Sequence, residues 1–208
     1  MARIALCDAS GPLTDLLQKL SGENGDAYLS TLNKMLRGEL TENGQHPTPI
    51  TKREFAVWKT ITLGTHKDVK SLKKQVEKDG FKVSDWAADI MGKPAFTLAT
   101  EETSVDLVNV SVGELGFTKA TPLRDIYARA IDLGLQLCPA EVGPQLRRQY
   151  ANQPNGEWLR VAMEAITGSG GSLRIFGVVH VGAGQWLGTS WGPPDGTWYP
   201  GLRFVFRK

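Results

Sequence analysis

Cys138, Glu141 and His180 are the residues of this chain whose types suit nucleophilic or acid–base chemistry. Cys138 is followed by Pro139 and, three residues on, by Glu141. Proline favours the first position of a helix and glutamate its first turn. A thiol at such a terminus feels the positive end of the helix dipole, which lowers its pKa and favours thiolate. His180 stands in the strand-like run IFGVVHV. A Cys138–His180 pair with Glu141 or Asp125 as orienter is then one candidate site for covalent catalysis. Glu141 and Glu157 are a second candidate, as the paired carboxylates of glycoside hydrolysis. Each residue also has a plainer reading, Glu141 as a helix-terminal acid and His180 as a satisfied or edge-exposed strand residue. No family-type catalytic signature surrounds them. With 2 cysteines and 3 scattered histidines, no metal-ligand spacing appears. GSGGS lacks the lysine and helix of a phosphate loop. No metal and no cofactor is expected.

Other side chains suit binding. Arg147 and Arg148, with Tyr150 close behind, lie in the polar segment QLRRQYANQPNGEW. Guanidinium forks match carboxylate and phosphate, although an ion pair to Glu141 or Glu157 would use the same donors. Further on, Trp158, Trp186, Trp191, Trp198 and Tyr199 alternate with Arg160, Arg174, Arg203 and Arg207. Arginine and aromatic residues on one sheet stack bases and hold phosphates, and tryptophans near glycine turns stack on sugar rings. The plainer alternative is the core and rim of a small sheet. The ligand-binding candidates are Arg147, Arg148, Tyr150, Trp158 and Trp186. Lys67, Lys70, Lys73, Lys74 and Lys78 crowd one helix, which would grip a polyanion or simply form a solvated face.

These residues need elements to hold them. Leu13, Leu16, Leu17 and Leu20 form one helical stripe, and Tyr28, Leu29, Leu32, Met35 and Leu36 form a second after SGENG. Residues 1–37 therefore predict a helical hairpin, whose helices are too short to stand alone. They must pack on their own domain, on a second copy or on a partner. Residues 38–52, polar and holding Gly44, Pro47 and Pro49, read as a linker, with His46 solvated in it. From 53 to 208 the pattern is a mixed domain. Phe55 to Thr62 alternates like a strand, and Val69, Leu72 and Val76 mark the inner face of a helix. Gly80 stops that helix, and Ser84-Asp85 starts another. Val105 to Val112 carries apolar residues on both faces, as an interior strand does. Residues 157–208 hold four strand-like runs between glycine-rich turns, for which an antiparallel meander is the economical assignment.

Val69–Ile90 and Leu123–Pro144 align without a gap at a spacing of 54 residues. Val69 meets Leu123, Leu72 meets Ile126, Val76 meets Ala130 and Gly80 meets Gly134. Phe81 and Val83 meet Leu135 and Leu137, and Ser84 meets Cys138. The shared pattern predicts two β-α-turn-α units, about residues 55–92 and 107–146. Ser84 is a natural N-cap, so Cys138 inherits a structural position as well as a chemical one. The tail VGPQLRRQY has no arginine-bearing counterpart.

The chain of 208 residues is 41% hydrophobic and 22% charged, as a globular domain is. A net charge of +2 gives no global attraction to nucleic acid or membrane. No run approaches the roughly 18 apolar residues of a membrane span, and the opening run Ile4–Cys7 is far shorter than a secretion signal core. Two cysteines do not make a disulfide framework. A soluble cytoplasmic protein is expected. From Phe55 to Lys208, through WKTITLG, KPAFTLATEE, VDLVNVSVGELGF, LCPAEVGPQLRRQY and the ending FVFRK, the chain resembles a group of bacterial proteins with no assigned activity. The resemblance therefore implies no ligand and no site residue.

The expectation is an α+β protein acting as a non-catalytic binding or interaction module. Its partner would be a protein or a small polar or anionic ligand, and the N-terminal hairpin would offer a route to oligomers. A hydrolase acting on a glycan or peptide is the alternative, and a nucleic-acid-binding protein the second alternative.

Overall fold

The structure, a computed structural model, describes residues 18, 20–22, 25–36, 54–182 and 184–208. The chain divides into two units, Met1–Arg53 and Glu54–Lys208. In the first unit, helix α1 (Gly25–Leu36) carries the second predicted apolar stripe. Most of the first stripe and all of the predicted linker fall outside the described residues.

The second unit is α+β. Its order is β1 (Lys59–Leu63), α2 (Val69–Lys78), β2 (Lys82–Val83), α3 (Asp85–Met91), β3 (Thr103–Ser111), β4 (Thr121–Pro122), α4 (Leu123–Asp132) and α5 (Val142–Gln149). Then follow β5 (Trp158–Val161), β6 (Ile166–Thr167), β7 (Leu173–Val181), β8 (Gly184–Trp191), β9 (Thr197–Trp198) and β10 (Arg203–Arg207). The main sheet runs β1-β3-β10-β5-β7-β8-β2, with β6 on β7, while β4 and β9 form a separate pair.

The predicted meander holds for β5, β7 and β8, which pair antiparallel. It fails at the last strand. β10 leaves β8 and inserts between β3 and β5, antiparallel to the first and parallel to the second. Phe204, Val205 and Phe206 are all fully buried, so both faces of β10 need cover, which an edge position would not supply. The first of the four strand-like runs also breaks, into β5 and β6. β3 is interior, between β1 and β10, as its two apolar faces require.

The two helix stops 54 residues apart share one geometry. Gly80 and Gly134 have φ of 89° and 88°, a left-handed conformation that glycine adopts without steric cost. At the first stop Phe81 N donates to Val76 O, and at the second Leu135 N donates to Ala130 O. Gly80 N and Gly134 N close the same shorter bonds, to Glu77 O and Ile131 O. The likeness ends at the next start. Ser84 caps α3 by accepting from Ala87 N at 3.2 Å, whereas Cys138 caps nothing and α5 begins only at Val142.

Register divides the sheet residues between two sides, since directly paired residues point the same way and neighbours alternate. Phe176, Val178, Leu187, Leu159 and Val205 face the side that α5 covers. Gly143 explains how closely: a Cβ there would lie 2.5 Å from the Phe176 ring. On the other side, α4 sets Tyr127 edge-on to Phe204 and Phe206, at 6.2 and 6.0 Å between ring centroids.

Candidate functional site

α5 carries two of the predicted binding residues, Arg147 and Arg148, and ends just before a third, Tyr150; its close approach to β7 decides what they do. Adjacent residues on a helix point about 100° apart, so Arg147 and Arg148 cannot share a task. Arg147 is fully buried. Its Nη1 donates to Gln153 Oε1 and to Val179 O, and its Nη2 donates to Tyr150 O and to Gln185 Oε1. All four acceptors are uncharged. The guanidinium also stacks 4.6 Å from the Phe81 ring centroid. Burial pulls its pKa down to about 10, against a cation that is normally fixed. Arg147 is thus the hub that joins α5, β7, β8 and the 150–153 turn.

Arg148 faces outward and pairs with Asp79 at 2.8 Å. Its Nη1 also reaches Gln145 Oε1 at 3.2 Å and Thr65 Oγ1 at 3.4 Å. The same Thr65 oxygen accepts from Gln145 Nε2 at 2.9 Å and lies 2.8 Å from His66 Nδ1. Burial and then the Arg148 charge lower the His66 pKa. Arg148 beside Asp79 contributes to holding that carboxyl below its usual range. Thr65, His66, Gln145 and Asp79 had no signal in the sequence, because three separate elements bring them together.

Tyr150 is buried, edge-on to Trp58 at 5.0 Å and beneath the Lys59 ammonium at 5.0 Å. Desolvation, then the neighbouring Glu157 carboxylate, push its pKa up to about 12. Arg147, Arg148 and Tyr150 therefore belong to the internal joinery between helices and sheet.

The catalytic candidates are placed likewise. Glu141 is fully buried. It accepts from Gly64 N at 2.8 Å, Gln145 Nε2 at 2.9 Å and Ala99 N at 2.7 Å. It stands at the start of α5 but does not cap it; instead it clasps two loops. Cys138 corrects the expected activated thiol. It is buried, its Sγ donates to Val205 O at 3.4 Å and its N–H to Ala162 O at 2.7 Å. Burial pushes the thiol up to about 12, the reverse of a helix-terminal effect, because no helix starts there. His180 Nδ1 lies 2.6 Å from Gln153 O, so Nδ1 carries the proton. The bonds of Cys138 meet the strand ends level with Phe176, since Val205 pairs with Val161 and Arg160 with Gly177. His180 is four residues further along β7, about 13 Å at the rise of a strand. That exceeds the hydrogen-bond reach catalytic partners need.

Trp158 and Trp186 lie on the sheet face opposite to Gln185 and Arg147. Trp158 pairs with Val179, Val179 with Trp186, and Trp186 with Lys82, which makes one row across β5, β7, β8 and β2. The next row is Arg160, Gly177 and Gly188. Lys82 Nζ sits 5.0 Å from the Trp186 ring centroid. The Arg160 guanidinium lies between two indoles, 5.1 Å from Trp158 and 5.3 Å from Trp198. Trp158 covers Gly177, whose Cβ would stand 2.8 Å from the indole Nε1, yet 42% of its surface stays exposed. These two rows hold no acidic side chain. Arg160 and Trp198, which the sequence offers among its alternating arginines and aromatics but not among the five binding candidates, join Trp158 and Trp186 here. Residue 160 is two from residue 158, hence on the same side of a strand.

Among the described residues, no group of three His, Cys, Asp or Glu side chains is placed to hold a metal ion. No helix among them is long and apolar enough to cross a membrane. A cavity of about 260 Å³ opens between α4 and the 163–165 and 192–194 loops, lined mostly by Leu123, Tyr127, Met163, Leu173 and Pro194. Arg124 on its rim is ion-paired with Asp125 and Asp195.

No family model, no curated protein and no solved structure matches the chain.

Proposed function

We propose that the chain is a non-catalytic binding module that takes a small polar or anionic ligand on the sheet face of Trp158, Arg160 and Trp186. The observation that carries this reading is the placing of two cations against indoles on one face, of which Trp158 is exposed, Trp186 half-buried and Trp198 buried. Lys82 lies against Trp186, and Arg160 lies between Trp158 and Trp198. Indoles supply flat apolar area to a ring or sugar face. The cations supply complementarity to negative charge, and the rows between hold glycine and valine rather than carboxylates. Trp158, with 42% of its surface exposed, leaves part of that flat area open beside Arg160.

The hydrolase reading would use Glu141, Cys138 or His180, whose partners and separation are those of structural residues. The nucleic-acid reading would use the same tryptophan face or the α2 lysines, of which Lys70, Lys74 and Lys78 are exposed. The two β-α-turn-α units remain part of the proposal, supported by the matching helix stops. So does an N-terminal helical hairpin with a role in assembly, supported by the 48% exposure of Leu29 on α1.

Saturation-transfer NMR of the full chain against small anionic and neutral ring compounds tests the reading. At least one should bind with Kd of about 1 mM or tighter, and Trp186→Ala should remove that binding. No binding by any compound, or binding indifferent to Trp186→Ala, sinks the proposal. Turnover of a glycan or peptide abolished by Glu141→Gln would install the hydrolase in its place.

A further inference from the structure

Among the described residues two arginines, Arg147 and Arg160, are buried, and they make an internal comparison. Arg147 donates from both Nη groups to four oxygens and leaves only its Nε–H without an acceptor, as a structural guanidinium can. Arg160 is also buried, with 9% of its surface exposed, and makes one hydrogen bond, from Nη1 to Trp158 O at 3.1 Å. It has no ion pair among the described residues. Its Nε–H is enclosed without an acceptor, and so is the Nε1–H of Trp198, the indole stacked against it. Burial pulls the Arg160 pKa down to about 10. Nη2 makes no hydrogen bond either, and it is not among the enclosed orphan atoms. The outer edge of the guanidinium therefore meets solvent beside the open part of Trp158.

A cation taken out of water and left without an anion is costly, and burying one to stabilise a fold is a poor use of it. The two indoles offset part of that cost through their ring faces. They also fix the plane of the guanidinium, so its free edge points in one direction. A planar fork held at constant orientation is suited to an oxyanion with two oxygens. The adjacent exposed indole is suited to a ring carried by the same ligand.

We propose that Arg160, clamped between Trp158 and Trp198, is the anion anchor of this face, and that the ligand is a ring-bearing oxyanion, a carboxylate or a phosphate ester. This deepens the binding-module reading and rests on it. The carboxylate or phosphate meets the guanidinium edge, and the ring lies on Trp158 toward Trp186. The neighbouring orphan donors give the anchor its readout. The field of an arriving anion would polarise the Arg160 Nε–H and the adjacent Trp198 Nε1–H, both without acceptors, and so shift their resonances.

The test titrates the full chain with adenosine monophosphate, glucuronate, benzoate and inorganic phosphate, and with adenosine, glucose and benzyl alcohol as neutral counterparts. Calorimetry and the side-chain N–H resonances of Arg160 and Trp198 are followed. At least one ring-bearing oxyanion should bind about tenfold or more tightly than its neutral counterpart, the span of a charged hydrogen bond. It should also bind more tightly than inorganic phosphate and shift both resonances. The best probe separates phosphate esters, sugar acids and aromatic carboxylates. Arg160→Met should erase the preference for the anion, and Arg160→Lys, which keeps charge without the fork, should restore it only in part. Equal binding of anion and neutral ring, unshifted resonances, or no binding of any probe at millimolar concentration overturns the proposal. If Arg160→Met does not fold, the wild-type comparison and its resonances still decide. Loss of binding in Trp186→Ala with an unchanged anion preference in Arg160→Met would leave the face as the site and reject the anchor. Anion binding that survives Trp186→Ala but not Arg160→Met would keep the anchor and reject the wider face.

Discussion

Gln185 and Trp186 are consecutive on β8 and look to opposite sides of the sheet. Gln185 accepts from the buried Arg147 at 2.6 Å, and Trp186 stands beneath Lys82 on the other face. One strand therefore separates the internal network of α5 from the open tryptophan row by the thickness of a backbone. Residues that look like one recognition cluster in the sequence, Arg147 to Trp186, are divided between holding the fold and meeting solvent.

Arg147→Met should lower stability by about 2–4 kcal/mol, because up to four buried oxygens lose their donor and each orphan costs about 1–3 kcal/mol before relaxation. Urea unfolding followed by tryptophan emission measures it. Arg148→Met, which removes an outward ion pair with Asp79, should cost about 1 kcal/mol or less. Equal effects from the two would contradict the division of labour drawn for them.

Glu141→Gln turns one of two accepting oxygens into a donor facing an N–H. Either Gly64 N or Ala99 N then loses its partner, with an expected loss of about 1–3 kcal/mol. Amide exchange at Gly64 and Ala99 should accelerate ahead of exchange in β7. Uniform acceleration would mean that Glu141 does not clasp these loops in particular.

Gly143→Ala places a methyl 2.5 Å from the Phe176 ring. Overpacking of this kind costs about 1–3 kcal/mol, and Phe176→Leu in the same chain should recover part of it. Thermal melts of the single and double variants give the coupling directly.

Cys138 should resist alkylation in the native protein at pH 8. Burial holds it protonated, with a pKa of about 12, and the thiolate is the reactive form. Mass spectrometry of the Cys138 peptide should show labelling only once denaturant unfolds the sheet. Rapid labelling of the folded chain would restore the nucleophile reading.

Asp89 accepts from Ser169 Oγ at 2.6 Å, Ser169 N at 2.7 Å and Lys93 at 3.0 Å. These bonds, the Ser169 hydroxyl first, depress its carboxyl from about 3.8 to about 2. A depressed acid contributes stability above its unfolded pKa, and that contribution fades as pH falls through the folded value. The tie between α3 and the 168–171 turn should thus persist at pH 4 and weaken toward pH 2. The Ser169 amide resonance reports it, and Asp89→Asn should remove the pH dependence.

The sequence made the local instructions legible and the long-range ones illegible. Gly80 and Gly134 stop helices through bonds within one turn, so spacing alone located them. The apolar faces of β3 announced an interior strand, but not which strands would flank it. FVF at 204–206 looked like the end of a meander, since nothing local distinguishes an edge strand from one wedged between two others. The pair Arg147-Arg148 was visible as two cations; only the seat of Gly143 on Phe176 shows which one goes inside. Trp158 and Trp186 could be named as binding residues but not placed on one row, because the pairing through Val179 belongs to register. Cys138 misled for a related reason. Pro139 and Glu141 imitate a helix start, while the helix waits until Val142.

The insertion of β10 has a consequence for how the chain is made. A ribosome releases β1 and β3 early and β5, β7 and β8 later, yet the strand that joins these two halves is the last to emerge. Until Arg203–Arg207 clears the exit tunnel, β3 and β5 each present an unpaired edge, the kind of surface that recruits other chains. The nascent protein is two incomplete half-sheets awaiting a five-residue key. A chain cut before Leu202 would lack β10 and leave both halves without the seam between them.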